Sequence, residues 1–200
     1  MARTRTRPTF TPSLPAMESA VRAFLAAAGL DPARHPQLAQ APELVARAWS
    51  LEFLDGYRRQ PREVLAERMS APKGRRELVA LTGLAFQSAC PHHLLPYGGV
   101  AHIAYLPGAH VVGFGQVVQL LDCLSHRLIL QEDLARQVAD ALFHELKARG
   151  AGVVLEAQQS CMTLRGGRRT GSKTVAEAFA GALSTDADLR QRFLCLARKG

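Results

Sequence analysis

Cys90-Pro91-His92-His93, answered far along the chain by Ser160-Cys161-Met162-Thr163-Leu164-Arg165-Gly166, assembles side chains that bind a borderline-soft metal. Two thiols and one imidazole, from Cys90, His93 and Cys161, are the kind of three-ligand set that holds a catalytic Zn2+ and leaves a fourth position for water or substrate. His92 sits beside the presumed ligand His93, and because an imidazole can both take and give a proton it is a candidate acid and base for hydrolysis. The bland alternatives are two buried thiols with an incidental histidine, and a His92 that only orients the site.

Elements must converge for these residues to meet. Residues 17–28 carry helical periodicity through Val21, Phe24, Leu25 and Ala28 and stop at Gly29. Residues 42–57 predict a second helix with Leu44, Val45, Ala48, Leu51 and Leu54 on one face, and 61–69 a shorter third. From Glu77 the pattern changes. Leu78, Ala80, Thr82, Leu84 and Phe86 alternate with Val79, Leu81 and Ala85, which predicts a buried strand leading into the cysteine-histidine loop. Further strands are expected at 98–106, 110–114, 153–159, 161–165 and 173–179, and helices at 116–123, 132–149 and 186–198, the last capped by Ser184 or Thr185. Strand pairs flanking two helices indicate an α+β fold with the helices on one face of an antiparallel sheet. The expected division is a disordered basic tail over 1–16, a helical region over 17–75 and the sheet domain over 76–200.

The composition narrows the function classes. With 200 residues, 48% of them hydrophobic and 6% aromatic, the chain reads as an ordinary globular protein. It has no apolar run of membrane-spanning length, and its basic N-terminus lacks the apolar core of a secretory signal, so a cytoplasmic location is expected. The four cysteines could form two disulfides, but in such a chain they are more often thiols. Cys123 and Cys195 fall at apolar positions of helical patterns and are expected to be buried. The net charge of +8 favours an anionic partner, yet no nucleic-acid motif or interleaved aromatics accompany it; no nucleic-acid or membrane partner is expected. His35, His102, His110, His126 and His144 belong to no motif and read as structural or surface residues.

From Gly29 onward the sequence resembles GTP cyclohydrolase I, the zinc enzymes that open the imidazole ring of GTP and reclose the product as a dihydropterin triphosphate. The stretches that carry the resemblance are Cys90-Pro91-His92-His93, Gly99 to Pro107, Gly113-Phe114, Gln131-Glu132-Asp133-Leu134 and Cys161 to Gly166, in family order. The resemblance implies a T-fold, in which each subunit supplies a four-stranded antiparallel sheet and two long helices. It also implies a homo-oligomer, typically a decamer, with active sites between subunits. Carried over, the Zn2+ ligands are Cys90, His93 and Cys161, and His92 is the catalytic histidine. Glu132 accepts hydrogen bonds from the guanine edge, Gln131 precedes it as a further substrate-binding residue, and Arg165 is a basic residue of the substrate pocket. Glu132 also opens a helix, where a carboxylate is favourable in any case.

The residues expected to read phosphate depart from that pattern. Where the family has Thr-Pro-x-Arg, this chain has Ala41-Pro42-Glu43-Leu44; where it has serine, lysine and, three residues on, arginine, this chain has Gly115, Gln116 and Gln119. Arg47 and Arg165 remain of the basic set. A charge-assisted hydrogen bond to phosphate is worth roughly 1.5–3 kcal/mol, so replacing three cations with uncharged side chains weakens triphosphate binding by powers of ten. Pro91 replaces a glutamate, and Gln159 replaces a second catalytic histidine; glutamine orients water or a carbonyl but does not shuttle protons near neutral pH. The expectation is a zinc-dependent cyclohydrolase attacking C8 of a guanine-type substrate with fewer phosphates than GTP. An ordinary GTP cyclohydrolase I and a non-catalytic purine- or pterin-binding T-fold protein are the alternatives.

Overall fold

The computed structural model describes residues 10–72, 74, 77–165 and 168–199. The first nine residues of the expected tail, and Lys73, Arg75 and Arg76 of a basic cluster, lie outside the described residues. Part of the expected tail is structured. Phe10 stacks at 5.1 Å on Tyr57, and α1 (Leu14–Ala27) starts at the cap Ser13, whose side chain accepts from Ala16 N. It ends against Gly29, which takes a φ of +79°.

Helix α2 (Ala41–Ala48) packs against α1 but is shorter than the pattern predicts. A wide turn over Trp49–Phe53 and a tight one over Asp55–Arg58 replace its second half. Gly56 explains the break: a Cβ there would lie 2.6 Å from the carbonyl oxygen of Cys123 and 2.7 Å from that of His126. The backbone is drawn onto another element at this point, and only glycine permits the approach. The expected third helix is a single turn, α3 (Pro61–Val64), after which β1 (Met69–Ser70) forms.

Strands β2 (Val79–Ala89) and β3 (Pro96–Leu106) flank the cysteine-histidine loop. β4 (His110–Val111) pairs with β1 and is not part of the main sheet. Helices α4 (Phe114–Ser125) and α5 (Gln131–Glu145) follow, then β5 (Gly150–Gln159), the turn α6 (Ser160–Thr163), β6 (Thr174–Gly181), α7 (Ala182–Thr185) and α8 (Ala187–Ala197). α5 stops short of Gly150 because Lys147 adopts a left-handed conformation, and Gly150 opens the next strand. The cap of α8 is Asp186, which accepts from Leu189 N at 2.9 Å, in place of Ser184 or Thr185.

The main sheet has the order β2-β3-β5-β6, every neighbour antiparallel. α4 and α5 cover one face. Leu120, Leu121 and Leu124 of α4 and Leu134, Val138 and Leu142 of α5 share a core with Ile103, Val153 and Leu155. Each such buried side chain stabilises by about 1.5–3 kcal/mol, and Leu142→Ala would cost roughly 2–5 kcal/mol. Against the opposite face, Leu183 of α7 and Phe193 of α8 pack on Ala104, Leu106 and Val154. Both faces are therefore partly covered, which the expected one-sided helix layer omits.

Two local events decide which residues reach the loop end. The sequence predicts one alternation throughout β2, but its register shifts between Leu81, opposite Ile103, and Leu84, opposite Ala101. Gly83 takes φ +73° in this bulge, and Leu84 and Phe86 join the helix-side core while Ala80 packs on the other face. One extra residue reverses the side chains beyond it. Residues 161–165, expected as a strand, instead begin with α6. β3 starts at Pro96, Tyr97 pairs with Gln159, and beyond that row β5 has no partner strand, so the chain coils.

Candidate metal centre

The β2–β3 connection is closed by two backbone bonds, Cys90 N to Leu95 O and Leu94 N to Cys90 O, both 2.9 Å. Leu94 turns the chain with φ +53°. On the other side of β3, the α6 turn is held by Leu164 N to Ser160 O at 3.0 Å and by Thr163 Oγ1 donating to Gln159 O at 3.3 Å. The sheet thus sets a tight loop and a helical turn at the same end. As a result the ligand atoms of Cys90, His93 and Cys161 all lie within 4.8 Å of one another. A tetrahedral Zn2+ needs Zn–S near 2.3 Å and Zn–N near 2.0 Å, and donor atoms within 4.8 Å of one another are compatible with such an ion. Two thiols and an imidazole also match its preference. All four cysteines are free, and Cys195, expected to be buried, is exposed on α8.

His92 is exposed beside His93, the two rings 6.3 Å apart at 76°. Behind the triad stands Tyr97, whose hydroxyl donates to Ile129 O at 3.0 Å; burial pushes its pKa up to about 12, so it remains a phenol.

Gln131 and Glu132 open α5 and face different surroundings. Glu132 is exposed in the first turn, where its carboxylate also complements the helix dipole. Gln131 is only 3% exposed. Its Nε2 donates to Leu155 O at 2.8 Å and Thr174 O at 3.2 Å, and its Oε1 accepts from Gln159 Nε2 at 2.8 Å and Thr174 Oγ1 at 2.6 Å. Gln159 is therefore joined to Gln131, two residues from the candidate ligand Cys161.

The remaining expected substrate residues make contacts elsewhere. Gln116 caps α4, accepting from Gly113 N at 2.9 Å and donating to Glu67 O at 3.0 Å. Gln119 Oε1 accepts from Arg59 Nη2 at 3.4 Å. Arg47 forms an exposed pair with Glu43 at 3.5 Å. Arg165 is exposed just beyond α6. Thr174, Tyr97 and Arg59 join these residues without belonging to any of the sequence motifs. Tyr97 before Gly98-Gly99 at the start of a strand is a usable signal; Thr174 and Arg59 leave none, because their partners are set by strand register and by the break at Gly56.

Comparison with known proteins agrees with this geometry. A model of the GTP cyclohydrolase I family matches residues 17–198. GTP cyclohydrolase 1 of Brucella anthropi is 39% identical over 182 residues, covering 91% of this chain and 84% of its own. The Chromobacterium violaceum GTP cyclohydrolase 1 is 39% identical over 181 residues, covering 90% and 85%. A solved structure of the archaeosine synthase QueF-Like in the apo form aligns with 56% of this chain and 96% of its own at TM-score 0.44 and 19% identity, too distant for its activity to bear on this one. With the α+β architecture, the antiparallel sheet and the convergent cysteine-histidine-cysteine triad already in place, a match running nearly end to end means that this chain belongs to the GTP cyclohydrolase I family.

Proposed function

We propose that this protein is a zinc-dependent cyclohydrolase that opens the imidazole ring of a guanine-type purine by water attack at C8, and that its preferred substrate carries fewer phosphates than GTP. The observation that carries the reading is the convergence of Cys90, His93 and Cys161 within 4.8 Å beside the exposed His92. Zn2+ held by those three side chains would supply Lewis-acid chemistry and acidify water at neutral pH. His92 accepts and returns a proton as the ring opens. Glu132 accepts from the N–H groups of the guanine edge, so that a base lacking those donors leaves a carboxylate unpaired. Arg165 faces the anionic part of the substrate.

The preference for fewer phosphates rests on α4. Gln116 has no charge, and its carboxamide is already used on Gly113 and Glu67. The assembly we propose is a homo-oligomer, a decamer on family grounds, with sites completed between subunits. In support, His92, His93, Glu132 and Arg165 are all exposed in the single chain, and β2 and β6 stand at the two edges of the sheet. No described helix is long and apolar enough to cross a membrane, and we place the activity in the cytoplasm.

Incubating zinc-loaded protein with guanosine, GMP and GTP, and following water gain and formate loss by mass, tests the reading. Conversion of guanosine or GMP in preference to GTP is expected. Efficient conversion of GTP to a fluorescent pterin, with binding that tightens for every added phosphate, refutes the specialisation and leaves an ordinary GTP cyclohydrolase I. One observation favours that second reading: Arg59 meets Gln119 and returns a cation to the helix position where the family has arginine. Arg59→Ala should then raise KM for GTP and leave guanosine binding unchanged.

A further inference from the structure

Gln131 has no hydrogen-bonding capacity left for a ligand. A carboxamide offers two N–H donors and two acceptor lone pairs. Both donors of Gln131 are taken by the carbonyls of Leu155 and Thr174, and both lone pairs by Gln159 Nε2 and Thr174 Oγ1. The two carbonyls fix which end of the group is nitrogen, since an oxygen turned toward them would face two acceptors. That orientation in turn obliges Gln159 to present its Nε2 to Gln131. Gln159 Oε1 and its second N–H are directed away from this bond.

Sheet register places Gln159 where a ligand can reach it. Ser88, Tyr97 and Gln159 form one lateral row across β2, β3 and β5. Cys90 follows Ser88 by two residues and Cys161 follows Gln159 by two, so the row lies directly behind the metal triad. Glu132 adjoins the partner Gln131. Gln159 is half-buried where Gln131 is fully buried, and among the described residues its Oε1 accepts from nothing.

We propose that Gln159 is a specificity-determining residue, its Oε1 accepting a hydrogen bond from an N–H of the bound heterocycle, and that Gln131 is a buried positioning residue that holds Gln159 in that orientation. The inference rests on the guanine-type reading above and deepens it. Glu132 and Gln159 Oε1 are then two acceptors on one side of the pocket, which selects a ring whose edge carries donors.

Calorimetric titration of zinc-loaded protein with guanosine, 1-methylguanosine and N2,N2-dimethylguanosine tests this. Gln159→Leu should weaken guanosine binding about tenfold or more, with KM raised more than kcat is lowered and zinc content unchanged. For whichever analogue lacks the N–H that Gln159 reads, the same substitution should cause no further loss. Gln131→Met should lower the melting temperature and repeat the selectivity of Gln159→Leu, weakening guanosine while sparing the analogue that lacks the N–H in question. Gln159→His retains one donor for Gln131 and one acceptor for the ligand, so it should restore guanosine binding and covers the case in which the leucine variant folds poorly. Equal losses for all three ligands in Gln159→Leu, or no loss in any, overturn the proposal. Failure of the wild-type protein to bind any guanine derivative, GTP included, overturns the underlying reading and this inference with it, an outcome distinguishable from the first.

Discussion

Arg127 grips the backbone at Gly56 with two donors, Nε at 3.2 Å and Nη2 at 2.9 Å from the same carbonyl oxygen. Arg127 is 7% exposed. It also donates to Cys123 O at 2.7 Å and Arg59 O at 2.9 Å, and lies 5.5 Å from the centre of the Tyr57 ring. Carbonyl dipoles and an aromatic face take the place of a carboxylate partner. This one side chain joins the 55–59 segment to the end of α4, and so fixes where Arg59 emerges.

Arg127→Met should therefore destabilise the protein by roughly 2–3 kcal/mol, because carbonyls of Gly56, Arg59 and Cys123 lose their donor while buried. Gly56→Ala should act in the same direction, since its methyl would overlap two carbonyl oxygens. Denaturant unfolding of both variants checks this; stability within about 0.5 kcal/mol of wild type would be the contrary result.

Cys161→Ser or Cys90→Ser should abolish stoichiometric zinc and cyclohydrolase activity together, because a hydroxyl is a poor replacement for a thiolate at a soft site. Cys195→Ser, on the exposed side of α8, should alter neither. Elemental analysis of the purified variants decides the matter, and removal of metal by a chelator followed by readdition of Zn2+ should lose and restore activity in the wild type.

Gln116→Lys with Gln119→Arg should bring in a triphosphate preference. Each new cation is worth roughly 1.5–3 kcal/mol in a charge-assisted hydrogen bond, so the pair should tighten GTP binding about a hundredfold or more and guanosine binding little. The gain should shrink as salt is added. A salt-independent change, or an equal change for guanosine, would argue that α4 does not face phosphate.

Stability should fall on the acid side because of His102. Burial holds its pKa below the ordinary value of 6.5, the nearby Glu156 opposing in part, and its Nδ1 stands 3.4 Å from Gly83 N in the β2 bulge. The folded protein thus keeps the ring neutral where the unfolded chain takes up a proton. The contribution is full above about pH 6.5 and is lost as pH falls below it toward the depressed folded value. His102→Gln should flatten the melting temperature between about pH 7 and pH 5, relative to wild type, to the extent that this ring is responsible. An unchanged profile would show that another group governs the acid limb.

The candidate metal triad is legible in the sequence because ligand type is written in the residue itself, and Cys90, His93 and Cys161 stand in stretches with few other roles. The apolar stripes of α4 and α5 are legible because helical period survives in sequence. Three departures from the sequence pattern have a shared origin in long-range contact. The break of α2 answers to carbonyls of α4 and its following turn near Gly56, the coil at 161–163 to the end of β3 at Pro96, and the placing of Phe10, within the expected tail, to the ring of Tyr57. None of these partners is near in sequence, so no local pattern records them. The bulge at Gly83 belongs with them: the alternation on either side is regular, and one left-handed residue exchanges the two faces.

Sequence alone therefore determined the family, the identity of the donor atoms and the absence of charge at Leu44, Gln116 and Gln119, because these are properties of side chains whatever their surroundings. Tertiary structure decided what those side chains are free to do. Gln131 and Gln159 are the same chemical group, yet one is enclosed by Leu155 and Thr174 with every hydrogen bond made and the other stands half-open two residues before Cys161. A carboxamide's function depends on which of its lone pairs and protons are already engaged, and only the packing of β5, β6 and α5 settles that.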